Sequence, residues 1–133
     1  MNTTYFMNQI MGNVFGTQTT PALPSSFYLG LSTTLPTIGG GGYTEPATAN
    51  GYARVQISSL STPSSGSIDN TASIAFNAAT ASWGTISYYC IFDAATGGHL
   101  LMWGTLATPK TISAGDVLIF AQNDLVITLE NKT

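Results

Sequence analysis

Few side chains in this sequence are equipped for chemistry. His99 is the only histidine and Cys90 the only cysteine, and the acids are Glu45, Asp69, Asp93, Asp116, Asp124 and Glu130. A lone histidine without Cys, His or carboxylate partners at ligand spacing does not make a zinc site. A Ser-His-Asp triad calls for a serine on a strained elbow, and no serine stands in a G-x-S-x-G sequence. The four glycines at residues 39–42 suggest a phosphate loop, but no Lys-Ser/Thr pair follows them. They read as a flexible loop. Asp93, Asp116 and Asp124 stand in turn sequences, where a carboxylate caps backbone N–H groups. A calcium ion held by such loops is the alternative use, without the spacing of an EF-hand. Cys90 sits in the apolar run Ile86-Ser-Tyr-Tyr-Cys-Ile-Phe92 and reads as a small core residue. The expectation is a non-enzyme with no cofactor, no metal and no catalytic residue.

Two groups of residues are candidates for binding. Trp83 and Trp103, with Tyr88 and Tyr89 nearby, offer an aromatic platform for a glycan or another protein. Core packing is the competing account of the tyrosines and Trp103. At the start of the chain, Phe6, Ile10 and Val14 recur at helical spacing, with Met7, Met11 and Phe15 one position on. These six are the candidate assembly contacts, since Met-rich apolar faces adapt to varied partners. The alternative is that this helix simply closes one end of the domain.

The elements that would position these residues follow from periodicity. Asn2, Thr3 or Thr4 suits the helix cap, and Gly16 suits its left-handed end. From there the period changes to 2. Phe27, Leu29 and Leu31, then Ala53, Val55 and Ile57, then Ile74 and Phe76, then Leu125, Ile127 and Leu129 each alternate with smaller or polar neighbours. Residues 86–92, 100–106 and 117–120 are apolar on both sides, which calls for cover on both faces or a neighbouring subunit. Asp93-Ala-Ala-Thr-Gly-Gly98 predicts a hairpin. The fold class is therefore all-β: a single antiparallel β-sandwich, jelly-roll or Ig-like, of about 7–8 strands, with a short N-terminal helix. The division is a helical arm at residues 1–16 and a sandwich domain at 17–133. Residues 32–51 and 58–71 read as long linkers able to reach a neighbour.

Charge narrows the partners. Only 7% of residues are charged, against about 25% in an ordinary soluble domain. Such a surface repels its neighbours weakly and implies docking or self-association. Three scattered bases, Arg54, Lys110 and Lys132, cannot neutralise a phosphate track, so neither nucleic acid nor a membrane surface is an expected partner. No apolar run approaches the length of a membrane helix, and the start lacks a secretory-signal pattern.

The order of short motifs adds a resemblance. Tyr28-Leu-Gly-Leu-Ser-Thr-Thr-Leu-Pro36 is followed by Gly51-Tyr-Ala-Arg-Val55, Ala72-Ser-Ile-Ala-Phe76 and Trp83-Gly-Thr-Ile86. Then come Ile91-Phe-Asp-Ala-Ala-Thr-Gly-Gly98, Trp103-Gly-Thr-Leu106, Thr108-Pro-Lys-Thr-Ile112 and Ala114-Gly-Asp116. Over roughly residues 3–129 this resembles a family of small tailed-bacteriophage virion structural proteins, often labelled tail-fibre-like. The resemblance implies a β-sandwich in the virion, assembled in the host cytoplasm, and supplies no catalytic residue. A short chain without a stalk repeat points to a capsid decoration (cement) protein. Its partners would be the major capsid protein or other virion proteins, and it would form a dimer or trimer. The alternative is a tail-tip or tail-fibre-associated module contacting the host surface or its glycans.

Overall fold

The 3.6-residue period at the start of the chain becomes helix α1, Thr4–Phe15, in a computed structural model that describes residues 1–17 and 22–129. Its ends are set locally. Thr3 is the cap, its hydroxyl accepting the Phe6 N–H at 3.3 Å, and Gly16 closes the helix at φ +66°. Thr3 also fastens the helix to the rest of the protein. Fully buried, it donates its own N–H to the Leu101 carbonyl at 2.9 Å, and its hydroxyl lies 2.8 Å from the Leu100 carbonyl. The helical segment is thus docked by its first turn.

The period-2 segments become strands β1 (Phe27–Ser32), β2 (Val55–Ile57), β4 (Ile74–Ala75), β5 (Gly84–Phe92), β6 (Leu100–Ile112), β7 (Ile119–Phe120) and β8 (Val126–Thr128); Ser67–Asp69 adds β3. Among the described residues these form a four-stranded antiparallel sheet, β2-β1-β5-β6, and two ribbons, β3-β8 and β4-β7. The protein is mostly β with one short helix, in keeping with the sequence. The second layer consists of two separate ribbons.

Alternation decides which residues face which layer. Pairing Leu29 with Ile91 and Gly30 with Cys90 sends Leu29, Leu31, Ile91 and Met102 to one face, with Cys90 and Phe92 on the other. The first face meets Ile74, Phe120 and Leu125 from the ribbon side to form the main core. The second carries a smaller cluster of Cys90, Phe92 and Leu100, with Tyr28, Tyr43 and Trp103 against it. Gly30 is small for a reason here: a Cβ would sit 2.8 Å from the Phe92 ring and 3.1 Å from a Glu45 oxygen. In β6 the ladder jumps from Tyr88↔Thr105 to Ile86↔Lys110, so Ser87 faces the whole of residues 106–109. That bulge accommodates Pro109, which has no N–H to donate.

Both long linkers differ from the expectation. Residues 58–71 hold a hairpin whose tip is Ser65 and Gly66, at φ +53° and +77°, with Ser64 and Ser67 bonded both ways at 2.9 and 3.0 Å. Two successive positive φ values make the primed turn that suits a twisted ribbon. The second arm of that hairpin is β3, which then pairs with β8. Residues 33–45 are tied as well, with the Thr33 N–H on the Thr44 carbonyl at 3.0 Å and the Thr34 hydroxyl on the Gly42 carbonyl at 2.6 Å. Backbone groups that seemed free for a neighbour are satisfied within the chain. Tyr43 from this segment packs edge-on against Phe92, so the double-sided strand β5 finds part of its cover internally.

Candidate functional site

The six candidate contacts on α1 fall on two sides. Phe6 and Ile10 turn inward and line an apolar cleft of about 290 Å³, walled by Ile57, Met102 and Ile127. Met7, Met11, Val14 and Phe15 are 40%, 56%, 64% and 66% exposed. The buried position on the helix is Gln9, whose Nε2 donates to the Ala22 carbonyl at 2.8 Å. Residue 22 therefore covers a polar side of the helix, and a hydrogen bond makes that burial tolerable. Among the described residues, the outer row is left as an exposed apolar ridge.

The two tryptophans do not form one surface. Trp83 is 4% exposed in the main core, edge-on to Tyr52 at 5.5 Å, with its indole N–H on the Asn50 carbonyl at 2.8 Å. Trp103 packs against the Cys90–Phe92–Leu100 cluster and stands edge-on to Tyr88 at 6.1 Å. A shared platform is ruled out because Trp83 has no free face. Its position beside a turn gave no sign of this, since the left-handed Gly84 at φ +77° lets the chain carry Trp83 inward.

Two constellations that the sequence did not suggest come together instead. The first is centred on Arg54, a polar neighbour of the alternating Ala53, Val55 and Ile57. Its guanidinium is bidentate to Glu45, Nε to Oε1 and Nη2 to Oε2, both at 2.8 Å. Nη1 donates to the Ala94 and Gly97 carbonyls, each at 2.8 Å, and the plane lies 3.4 Å from the Phe92 ring centre. The Tyr52 hydroxyl donates to Glu45 Oε1 at 2.6 Å and accepts the Leu31 N–H at 3.0 Å. Burial raises the Tyr52 pKa, and the neighbouring Glu45 raises it further. For Arg54, burial works against the charge, yet the bonds to Glu45 outweigh it and the pKa lies above its ordinary value. The arrangement is a fastener joining residues 45–54 to the tip of the β5–β6 hairpin. The available signal was Gly51-Tyr-Ala-Arg54, which places Tyr52 and Arg54 on the same side of an extended stretch.

The second lies around His99. Its ring stacks on Tyr5 with centres 3.9 Å apart and planes within 9°. Asp93 accepts the His99 backbone N–H at 2.7 Å through Oδ1, and its Oδ2 lies 3.1 Å from Nδ1. The His99 side chain is still 55% exposed. A groove of about 640 Å³ opens beside it, bounded by Tyr5, Tyr28, Ser25, Ser26 and Asp93. The sequence identified His99 as an isolated residue. Tyr5 is far away in the chain and no spacing connects the two.

The remaining candidates are local. Cys90 is fully buried, and burial pushes its thiol up to about 12. Asp116 accepts the Ser113 N–H at 2.8 Å and Asp124 the Ala121 N–H at 3.0 Å, so both hold turns. Among the described residues, no three His, Cys, Asp or Glu side chains gather closely enough to hold a metal ion. No described helix is long and apolar enough to cross a membrane.

Comparison with known proteins adds one finding. No curated protein matches the chain. A family model does, described as podophage GP4 fiber I protein gp80, and it aligns with residues 1–128. The match takes in α1, the eight strands, the Glu45–Arg54 fastener and the His99 groove. This chain therefore belongs to the family of the podophage GP4 fiber I protein gp80, a fibre-like family of tailed-phage virion structural proteins.

Proposed function

We propose that this protein is a non-catalytic component of a phage tail fibre, or of the structures that carry one, and that it takes part in contact with the host surface. The observation that carries this reading is the match to a fibre protein family over nearly the whole chain. The alternative, capsid decoration, drew on small size, low charge and two long polar loops. Both loops are bonded within the chain, residues 33–45 to one another and to the start of α1 and residues 58–71 through β3 to β8, which removes one of its supports. Low charge and the outward row of Met7, Met11, Val14 and Phe15 support an apolar contact with a second copy or another virion protein.

Gold-labelled antibody on intact particles, combined with copy-number mass spectrometry, tests the reading. Label confined to the tail with few copies per particle is the expected result. Label spread over the capsid in many copies would overturn it and favour decoration.

A further inference from the structure

The groove beside His99 plays no part in the reading above, yet three segments distant in sequence build it. The first turn of α1 brings Tyr5, the approach to β1 brings Ser25 and Ser26, and the β5–β6 hairpin brings Asp93 and His99. Its aromatic surface is held in place from behind. Asp93 binds both the backbone N–H and Nδ1 of His99. In the neutral tautomer that donates Nδ1–H to Asp93, Nε2 is left as an acceptor. One face of the imidazole lies on Tyr5, and 55% of the side chain remains exposed. Arg54 adds rigidity by gripping the Ala94 and Gly97 carbonyls of the same hairpin, each at 2.8 Å. A wall fixed before the ligand arrives costs less to order on binding.

An exposed aromatic side chain edged by hydroxyls and one fixed acceptor suits a sugar ring. The C–H bonds on a sugar's apolar side lie against a π face, while its hydroxyls need donors and acceptors at the rim. Charge then selects among sugars. Among the described residues, Asp93 is the one carboxylate lining the groove, and no Lys or Arg lines it. A sialic acid, uronic acid or phosphorylated sugar would meet like charge without a compensating cation.

We propose that this groove binds a neutral saccharide. Its ring stacks on His99, and its hydroxyls are held by His99 Nε2, Tyr28 and the Ser25 and Ser26 side chains. The assignment of that sugar to a host-surface glycan rests on the host-contact reading above.

The test uses the full-length protein titrated with methyl glycosides of neutral hexoses and deoxyhexoses. N-acetylneuraminate and glucuronate are titrated in parallel, and the His99 and Tyr5 ring signals are followed by NMR. At least one neutral glycoside should shift both residues saturably, and the acidic sugars should not. His99→Ala removes an exposed ring and should weaken binding about tenfold, the loss expected for one stacking contact. His99→Phe keeps the stacking surface without the Nε2 acceptor and should bind with intermediate affinity. The proposal falls if no neutral glycoside binds, if acidic sugars bind more tightly, or if His99→Ala binds like wild type. Labelling of particles separates the two readings. Tail location without sugar binding removes only the saccharide site, and sugar binding by a capsid-located protein removes only the host-contact reading.

Discussion

The two faces of the four-stranded sheet are closed by different means. On one, the two ribbons lay Ile74, Phe120 and Leu125 against Leu29, Leu31, Ile86 and Leu101, each at most 9% exposed. On the other, Tyr43 and Arg54 lie against Phe92, and a half-buried ion pair joins Arg54 to Glu45. Apolar cover is non-directional and scales with area. It tolerates imperfection, and an apolar cleft of about 290 Å³ persists at its margin. Polar cover does not, because each buried donor left without a partner is costly. Accordingly Nε, Nη1 and Nη2 of Arg54 are all bonded. In a protein with 7% charged residues, this pair of charges secures one loop to one hairpin.

Substitutions can break that contrast, beginning with the apolar side. Trp83→Ala removes a buried ring and its N–H bond and should destabilise the whole protein by about 4 kcal/mol in urea unfolding. Hydrogen exchange should rise throughout, since that face is one cooperative core. Arg54→Ala leaves Glu45 without its cation and should cost about 3 kcal/mol. Here exchange should rise first at residues 33–45 and 94–97. A loss below about 1 kcal/mol, the value of a surface pair, would mean that the ion pair does not hold the cover.

Alkaline pH sharpens the comparison, because Tyr52, Arg54 and Cys90, all with raised pKa, lie at or beside the polar cover. The Cys90 thiol rises from 9.0 to about 12, through burial first. A group raised on folding contributes stability that is complete below its unfolded pKa and lost as pH climbs to the folded one. Stability should therefore decline from pH 9.0 toward about 12, with Tyr52, also raised, acting in the same direction. Denaturant midpoints across that range should show a shallower decline for Cys90→Ala. The smallest expected effect is a gain. Ser65 holds φ +53° at the hairpin tip, a conformation asparagine adopts more readily. Ser65→Asn should raise stability by about 0.5 kcal/mol, read as a higher melting temperature.

Much of the scaffold was legible because its causes are local. Thr3 and Gly16 mark the helix ends through bonds and a backbone angle within a few residues of them. The 93–98 hairpin follows from Asp93 and two left-handed glycines. Strand β3 was not legible. Ser67–Asp69 lies in a Ser-, Thr- and Gly-rich stretch, and its partner β8 is Val126–Thr128, nearly half the chain away. The same holds for the candidate sites. Trp83 and Trp103 look alike in sequence, yet they pack in separate clusters. Gln9 looks like a solvent-facing residue and is 2% exposed.

By itself the sequence determined the elements, their periods and the turns between them, because those depend on neighbours within a few residues. It also determined the scarcity of charge and hence the low repulsion between surfaces. Only the tertiary structure decided which side of each element is covered, because the covering segments return from distant parts of the chain. That is why the His99–Tyr5 groove and the Arg54–Glu45 fastener exist only in the folded molecule.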